Sequence, residues 1–222
     1  MTSSYYPAPP RTTWRDSPFA RLLGAAVSWF GFALSFTLLV QAVFGLMTIG
    51  GSCASGGPYE IAVECPDSVA LFAPLSIFMG LAAVGFGLFL SGGFGTPVTT
   101  WAWPILFCGL GSMFLLAFFA TGDPTGLIIG VVFEIMGLVP LVLEVRASGQ
   151  RVVIGQRSLG GAQFYEGERA RRSMTSRLTP NPEGAVRPTA LDWLLALAVT
   201  AISVFLGYWV AALWFAAVAA AG

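Results

Sequence analysis

The chain reads as an all-α protein: a polytopic membrane bundle of five transmembrane helices, with the N-terminus inside and the C-terminus outside. Three observations predict this. First, 56% of the 222 residues are apolar and only 10% are charged, and mean hydropathy is +0.78. That leaves too little polar surface for a water-soluble globule. Second, five apolar runs each reach the roughly 20 residues that cross a hydrocarbon core about 30 Å thick. Third, arginine is distributed asymmetrically between alternate connections.

The predicted spans are Leu22 to Ile49, Val69 to Leu90, Trp101 to Ala120, Leu127 to Val145 and Leu191 to Ala216. Arg11, Arg15 and Arg21 precede the first. Arg146, Arg151, Arg157, Arg169, Arg171, Arg172, Arg177 and Arg187 all fall between the fourth and fifth. The connections after spans one and three hold only Glu60, Glu64, Asp67 and Asp123. The positive-inside rule then puts the N-terminus and the connections at 91–100 and 146–190 in the cytoplasm. With four or six spans, one arginine group would be on the wrong side. The organisation expected is a disordered cytoplasmic tail at 1–18 and a four-helix region at 19–145 with an external loop at about 50–68. A basic cytoplasmic loop at 146–190 and a fifth helix at 191–222 complete it.

The tail is rich in Pro, Ser, Thr and Tyr and has no apolar period. Span one is too long for the 7 to 15 residues of a signal-peptide core, so it is read as an uncleaved signal anchor. It carries Ser28, Gly31 and Ser35, and Gln41 further along. Span two carries Ser76, Gly80, Ala83 and Gly87, with Pro74 near its start. Small residues at three- and four-residue spacing let helix backbones approach closely, which supplies much of the association energy in lipid. Gln41 is expected to hydrogen-bond across a helix interface, with contact to a solute as the alternative.

Trp101 and Trp103 open span three, and Trp193 opens span five, whose outer half holds Tyr208, Trp209 and Trp214. Such rings suit the headgroup layer and are read as belt anchors. Span four has Gly126, Gly130 and Glu134 on one face, with Gly137 alongside. An acidic group there costs about 2.5–3.5 kcal/mol on insertion scales and faces a protein interior or a water cavity. Glu134 and Gln41 are thus the candidate intramembrane polar site. Glu134 reads either as a structural carboxyl bonded to Gln41, Ser112 or a backbone carbonyl, or as a proton- or cation-coupling group. Pro140 releases the carbonyl of Met136 nearby. Glu144 and Asp192, at the span ends, are expected to snorkel or pair.

The basic loop suggests a hairpin around Gly160 and Gly161, then a short amphipathic helix over 166–178 stopped by Pro180 and Pro182. Eight arginines against three glutamates make it a topology determinant. Arg169, Arg171, Arg172 and Arg177 could also hold anionic headgroups at about 1 kcal/mol each.

The external loop reads GGSCASGGPYEIAVECPD. Cys53 and Cys65 flank a glycine-rich turn on the oxidising side, so a disulfide is expected there, while Cys108 inside span three is a small apolar side chain. Gly50, Gly51, Cys53, Ala54, Gly56, Gly57, Pro58, Tyr59, Ile61, Cys65 and Pro66 resemble a loop of uncharacterised multi-pass membrane proteins of actinobacteria. The resemblance covers under a third of the chain. It implies a bacterial source and the disulfide, and carries no activity.

The chain has no histidine and no lysine. Imidazole ligation, Ser-His and Cys-His dyads, Schiff bases and the P-loop lysine are thereby excluded. No catalytic residue, metal site, cofactor or nucleic-acid partner is expected. The expected partners are the lipid bilayer of a bacterial cytoplasmic membrane and other membrane proteins or a second copy. Two roles follow: a non-enzymatic accessory or structural protein of the cell envelope, or a small proton- or cation-coupled transporter or channel component using Glu134.

Overall fold

The computed structural model describes residues 17–49, 64–91, 96–147, 153, 156–159, 162–165, 170–171, 178–179 and 189–220. Five helices long and apolar enough to cross a membrane account for most of them. They are α1 (Pro18–Thr48), α2 (Asp67–Phe86), α3 (Val98–Thr121), α4 (Pro124–Ala147) and α5 (Ala190–Ala219). α3, α4 and α5 contain their predicted spans, while α1 stops one residue short of Ile49 and α2 gives way to a π-helical turn before Leu90. Ser17 is the N-cap of α1, with the Ala20 amide donating to its Oγ at 3.2 Å, and Pro18 occupies the first turn, where its missing donor costs nothing. Gly122, with φ of 75°, ends α3 in the left-handed region. Asp123 then accepts from the Thr125 amide at 2.9 Å and so opens α4 after a two-residue connection. α2 widens into a π-helical turn over Gly87–Ser91.

α1 is the hub. It packs along α2 on one side and α5 on another, while α3 touches it more lightly and α4 packs on α3. Leu22 packs against Ala196 and Trp193 near one end, and Leu34, Leu38 and Ala42 meet Ala211, Phe215 and Val218 further along. The two helices therefore run parallel, as the first and last of five alternating crossings must. α2 runs antiparallel to α1, since Gly45 meets Val69 and Gly31 meets Ala83. The core is thin: Leu38, Ala42, Phe72 and Ala211 are fully enclosed, while Phe78, Ile128, Phe119, Leu194 and Phe205 project outward with well over half their surface free. Water would not tolerate so much apolar exterior, and hydrocarbon does. The chain is a multi-pass helical membrane protein.

Between α4 and α5 two short antiparallel pairings are described. β1 (Gln156–Leu159) pairs antiparallel with β2 (Ala162–Tyr165), in the stretch where the hairpin was expected. β3 (Ala170–Arg171) pairs with β4 (Leu178–Thr179), so the amphipathic helix expected over 166–178 does not form at Ala170, Arg171 and Leu178. That segment has no continuous apolar stripe, and an isolated helix of this length is marginal without one. The remaining residues of the N-terminal tail, the 50–63 part of the loop and most of the basic connection lie outside the described residues.

Candidate functional site

The α3–α4 hairpin carries the one acidic side chain in the middle of a span, and glycine decides how closely its two helices meet. A Cβ on Gly111 would stand 3.0 Å from both the Glu134 nitrogen and the Gly130 oxygen. One on Gly126 would stand 2.9 Å from the Phe114 oxygen, and one on Gly137 would meet the backbone nitrogen of Cys108 at 3.0 Å. The two backbones are thus in contact along several turns. Into this seam the half-buried Glu134 side chain turns, and the Ser112 hydroxyl donates to its Oε1 at 2.8 Å. The Cys108 thiol faces the same carboxyl.

Pro140 leaves the Met136 carbonyl without its helical donor, and the Trp103 indole N–H donates to that oxygen at 2.9 Å. Trp103 was read as a headgroup anchor. Its ring is half-exposed, and its indole N–H ties α3 to α4 at a carbonyl whose lost amide donor only another side chain can replace in hydrocarbon. Its ring continues as a ladder with Phe107 at 4.3 Å, then Phe133 and Phe114 edge-to-face at 5.5 and 5.8 Å.

The α1–α2 seam gathers Gly31, Gly80 and Gly87. A Cβ on Gly31 would lie 3.0 Å from Ala83 Cβ, and one on Gly80 3.1 Å from Ser35 Oγ. At Gly87 it would lie 2.5 Å from Ser28 Oγ. The Ser28 hydroxyl donates across this seam to the Ala83 carbonyl at 2.9 Å, and the Trp29 indole closes the end by donating to the Thr96 carbonyl at 2.7 Å.

Gln41 and Glu134, paired in the sequence reading, are not brought together. Glu134 is held by Ser112 on α3, whereas Gln41 stands on α1 in a cleft walled by α3 and α5. Residues 41 and 134 are on helices that share no substantial seam, so register and spacing alone could not have separated them. Cys65 lies at the start of α2, half-buried, and Cys53 lies outside the described residues. Arg169, Arg172 and Arg177 are also outside them; Arg171 falls in β3, where only the backbone is described.

Two buried charges were not anticipated as such. Arg21, read as a topology residue outside the span, lies within α1 and is fully enclosed, and so is Asp192. Both stand where the first turns of α1 and α5 pack together. Asp192 does not snorkel: its Oδ2 accepts from the Thr189 amide at 2.8 Å and hydroxyl at 2.9 Å, while its own amide donates to Thr189 Oγ1 at 3.2 Å. This capping box was legible as Thr-x-x-Asp before an apolar run. An arginine in the first turn of a helix, against the macrodipole, was the other signal.

Outside the membrane-spanning segments, the Asp123 carboxyl is held below the usual carboxylate range, chiefly by the Thr125 backbone amide and then by the Thr125 side chain. Among the described residues no cluster of His, Cys, Asp and Glu is suited to a metal ion. Comparison with family models, with curated proteins and with solved structures returns no match.

Proposed function

We propose that this protein is a non-enzymatic accessory or structural component of a bacterial cytoplasmic membrane, acting by association with other membrane proteins or with its own copies. The observation that carries this is how its intramembrane polar groups are used. Ser28, Trp29, Trp103 and the Ser112–Glu134 pair each tie one segment of the bundle to another. A carboxyl anchored in a glycine-lined seam serves adhesion between helices, where a coupling group has to face a cavity. α4, docked on α3 by one side, leaves Val131, Val132, Ile135 and Leu138 outward as surface for lipid or a partner.

The orientation belongs to the same reading: N-terminus in the cytoplasm, C-terminus outside, supported by the arginine asymmetry and the parallel run of α1 and α5. So does a Cys53–Cys65 disulfide on the outer loop. It is supported by Cys65 carrying no free thiol while Cys108 does, in a chain with three cysteines. The resemblance to actinobacterial membrane proteins points the same way.

The test is proteoliposome ion flux together with native-state sizing in mild detergent. Glu134→Gln is expected to leave flux at the level of empty liposomes and the assembly intact. Proton or cation flux that Glu134→Gln abolishes, or a lone monomer, contradicts the proposal.

A further inference from the structure

We propose that the cleft between α1, α3 and α5 binds a membrane-dissolved hydrophobic molecule that bears a hydroxyl, held by a hydrogen bond between that hydroxyl and the Gln41 carboxamide. This site is independent of the accessory role and of Glu134, since its walls come from three helices and not from α4.

The cleft encloses about 540 Å³, within the roughly 300–1,000 Å³ of small-molecule sites. α3 and α5 both rest on α1 and leave a slot between them that opens sideways, toward the hydrocarbon. Phe32, Phe36, Val40, Ile105 and Val204 make its walls apolar. Trp29 lies twelve residues before Gln41, about 18 Å along a helix axis, so the slot is long and narrow and suits an extended alkyl body. The Trp29 indole N–H is already committed to the Thr96 carbonyl.

Gln41 is different. Its Oε1 is enclosed and meets no donor among the described residues. The Ser28, Trp29 and Trp103 donors on the seams above each have an acceptor, and an unsatisfied amide oxygen in an apolar surround costs about 1–3 kcal/mol. The Thr37 and Tyr208 hydroxyls in the cleft wall do not supply a donor, so the atom calls for one from outside the described residues. Gln41 lies seven residues before the end of α1, about 10 Å along the axis, where an ordinary acyl chain carries no donor. A hydroxyl supplies one, and because it both donates and accepts, it satisfies the carboxamide in either orientation of its terminal torsion.

The probe is a long-chain alkyl alcohol carrying a diazirine in its chain, compared with its methyl ether, on the full-length protein in phosphatidylcholine vesicles. After irradiation, adducts are mapped by mass spectrometry. The expected result is labelling at Phe32–Gln41 and Val204–Tyr208, about five-fold stronger for the alcohol than for the ether, as one hydrogen bond provides. Excess unlabelled alcohol should remove it. In Gln41→Leu the two probes should label equally. Equal labelling of the native protein by alcohol and ether overturns the proposal, and so does labelling no denser in the cleft than at Ile128 and Val132 on α4. A crosslink joining two copies through this stretch of α1 would also overturn it, by assigning the slot to a second chain. The native alcohol-to-ether ratio decides the matter even if Gln41→Leu does not fold.

Discussion

Proline at position 140 cannot donate to the Met136 carbonyl, and the Trp103 indole takes the place of the missing donor at 2.9 Å. Removing that donor with Trp103→Phe keeps most of the ring packing on Phe107 and strands an oxygen, at a cost of about 1–3 kcal/mol. Pro140→Ala returns a backbone N–H to Met136, so in that background Trp103→Phe should cost measurably less. A double-mutant cycle of unfolding in detergent reads the difference; equal costs in both backgrounds would show that the bond carries no stability. Asp123 offers a second test at this scale. Its folded pKa lies below the unfolded value, so the contribution of its bonds to the α3–α4 connection is complete above about pH 3.9 and is lost as pH falls through the lowered folded value. The Thr125 amide shift should therefore titrate with a midpoint below 3.8, the usual Asp value. A midpoint at or above that value contradicts the capping role.

At the scale of elements, glycine separates contact from exposure. Gly111→Ala drives a methyl against the α4 backbone and should destabilise the hairpin by about 1–3 kcal/mol. Gly85 has nothing within 4 Å of its would-be Cβ, so Gly85→Ala should stabilise α2 by up to about 1 kcal/mol through helix propensity alone. If both substitutions shift the melting temperature equally, close packing is not what holds the seams. Thr189→Ala removes one side of the capping box on α5 and should cost about 1 kcal/mol in the same assay. The sequence was informative at this level because hydrophobic length, small-residue spacing and capping residues are local properties. The five spans and the glycine faces of spans one, two and four could be read from it. Which glycine face meets which helix could not, because that depends on the order in which α1 collects its neighbours. The partner of Trp103 and the separation of Gln41 from Glu134 are set by that same long-range register. The burial of Arg21 escaped for a simpler reason: the helix begins at Pro18, earlier than its apolar run.

For the whole molecule, five alternating crossings bring α1 and α5 together in parallel, with Arg21 and Asp192 enclosed at the shared end. An even number of crossings could not give that arrangement with both helices spanning. The arginine-rich connection before α5 and the arginines before α1 then fall on one side, and the loop with Cys53 and Cys65 on the other. The most direct measurement is a paired fusion at Gly222, using one reporter that is active only in the cytoplasm and one active only outside it, with Arg15 or its neighbours probed by protease from each face. The C-terminal fusion should be active only outside and the N-terminal residues cleaved only from the cytoplasmic face. Both termini on the same side would contradict the five-helix layout and, with it, the parallel seam on which the bundle is built.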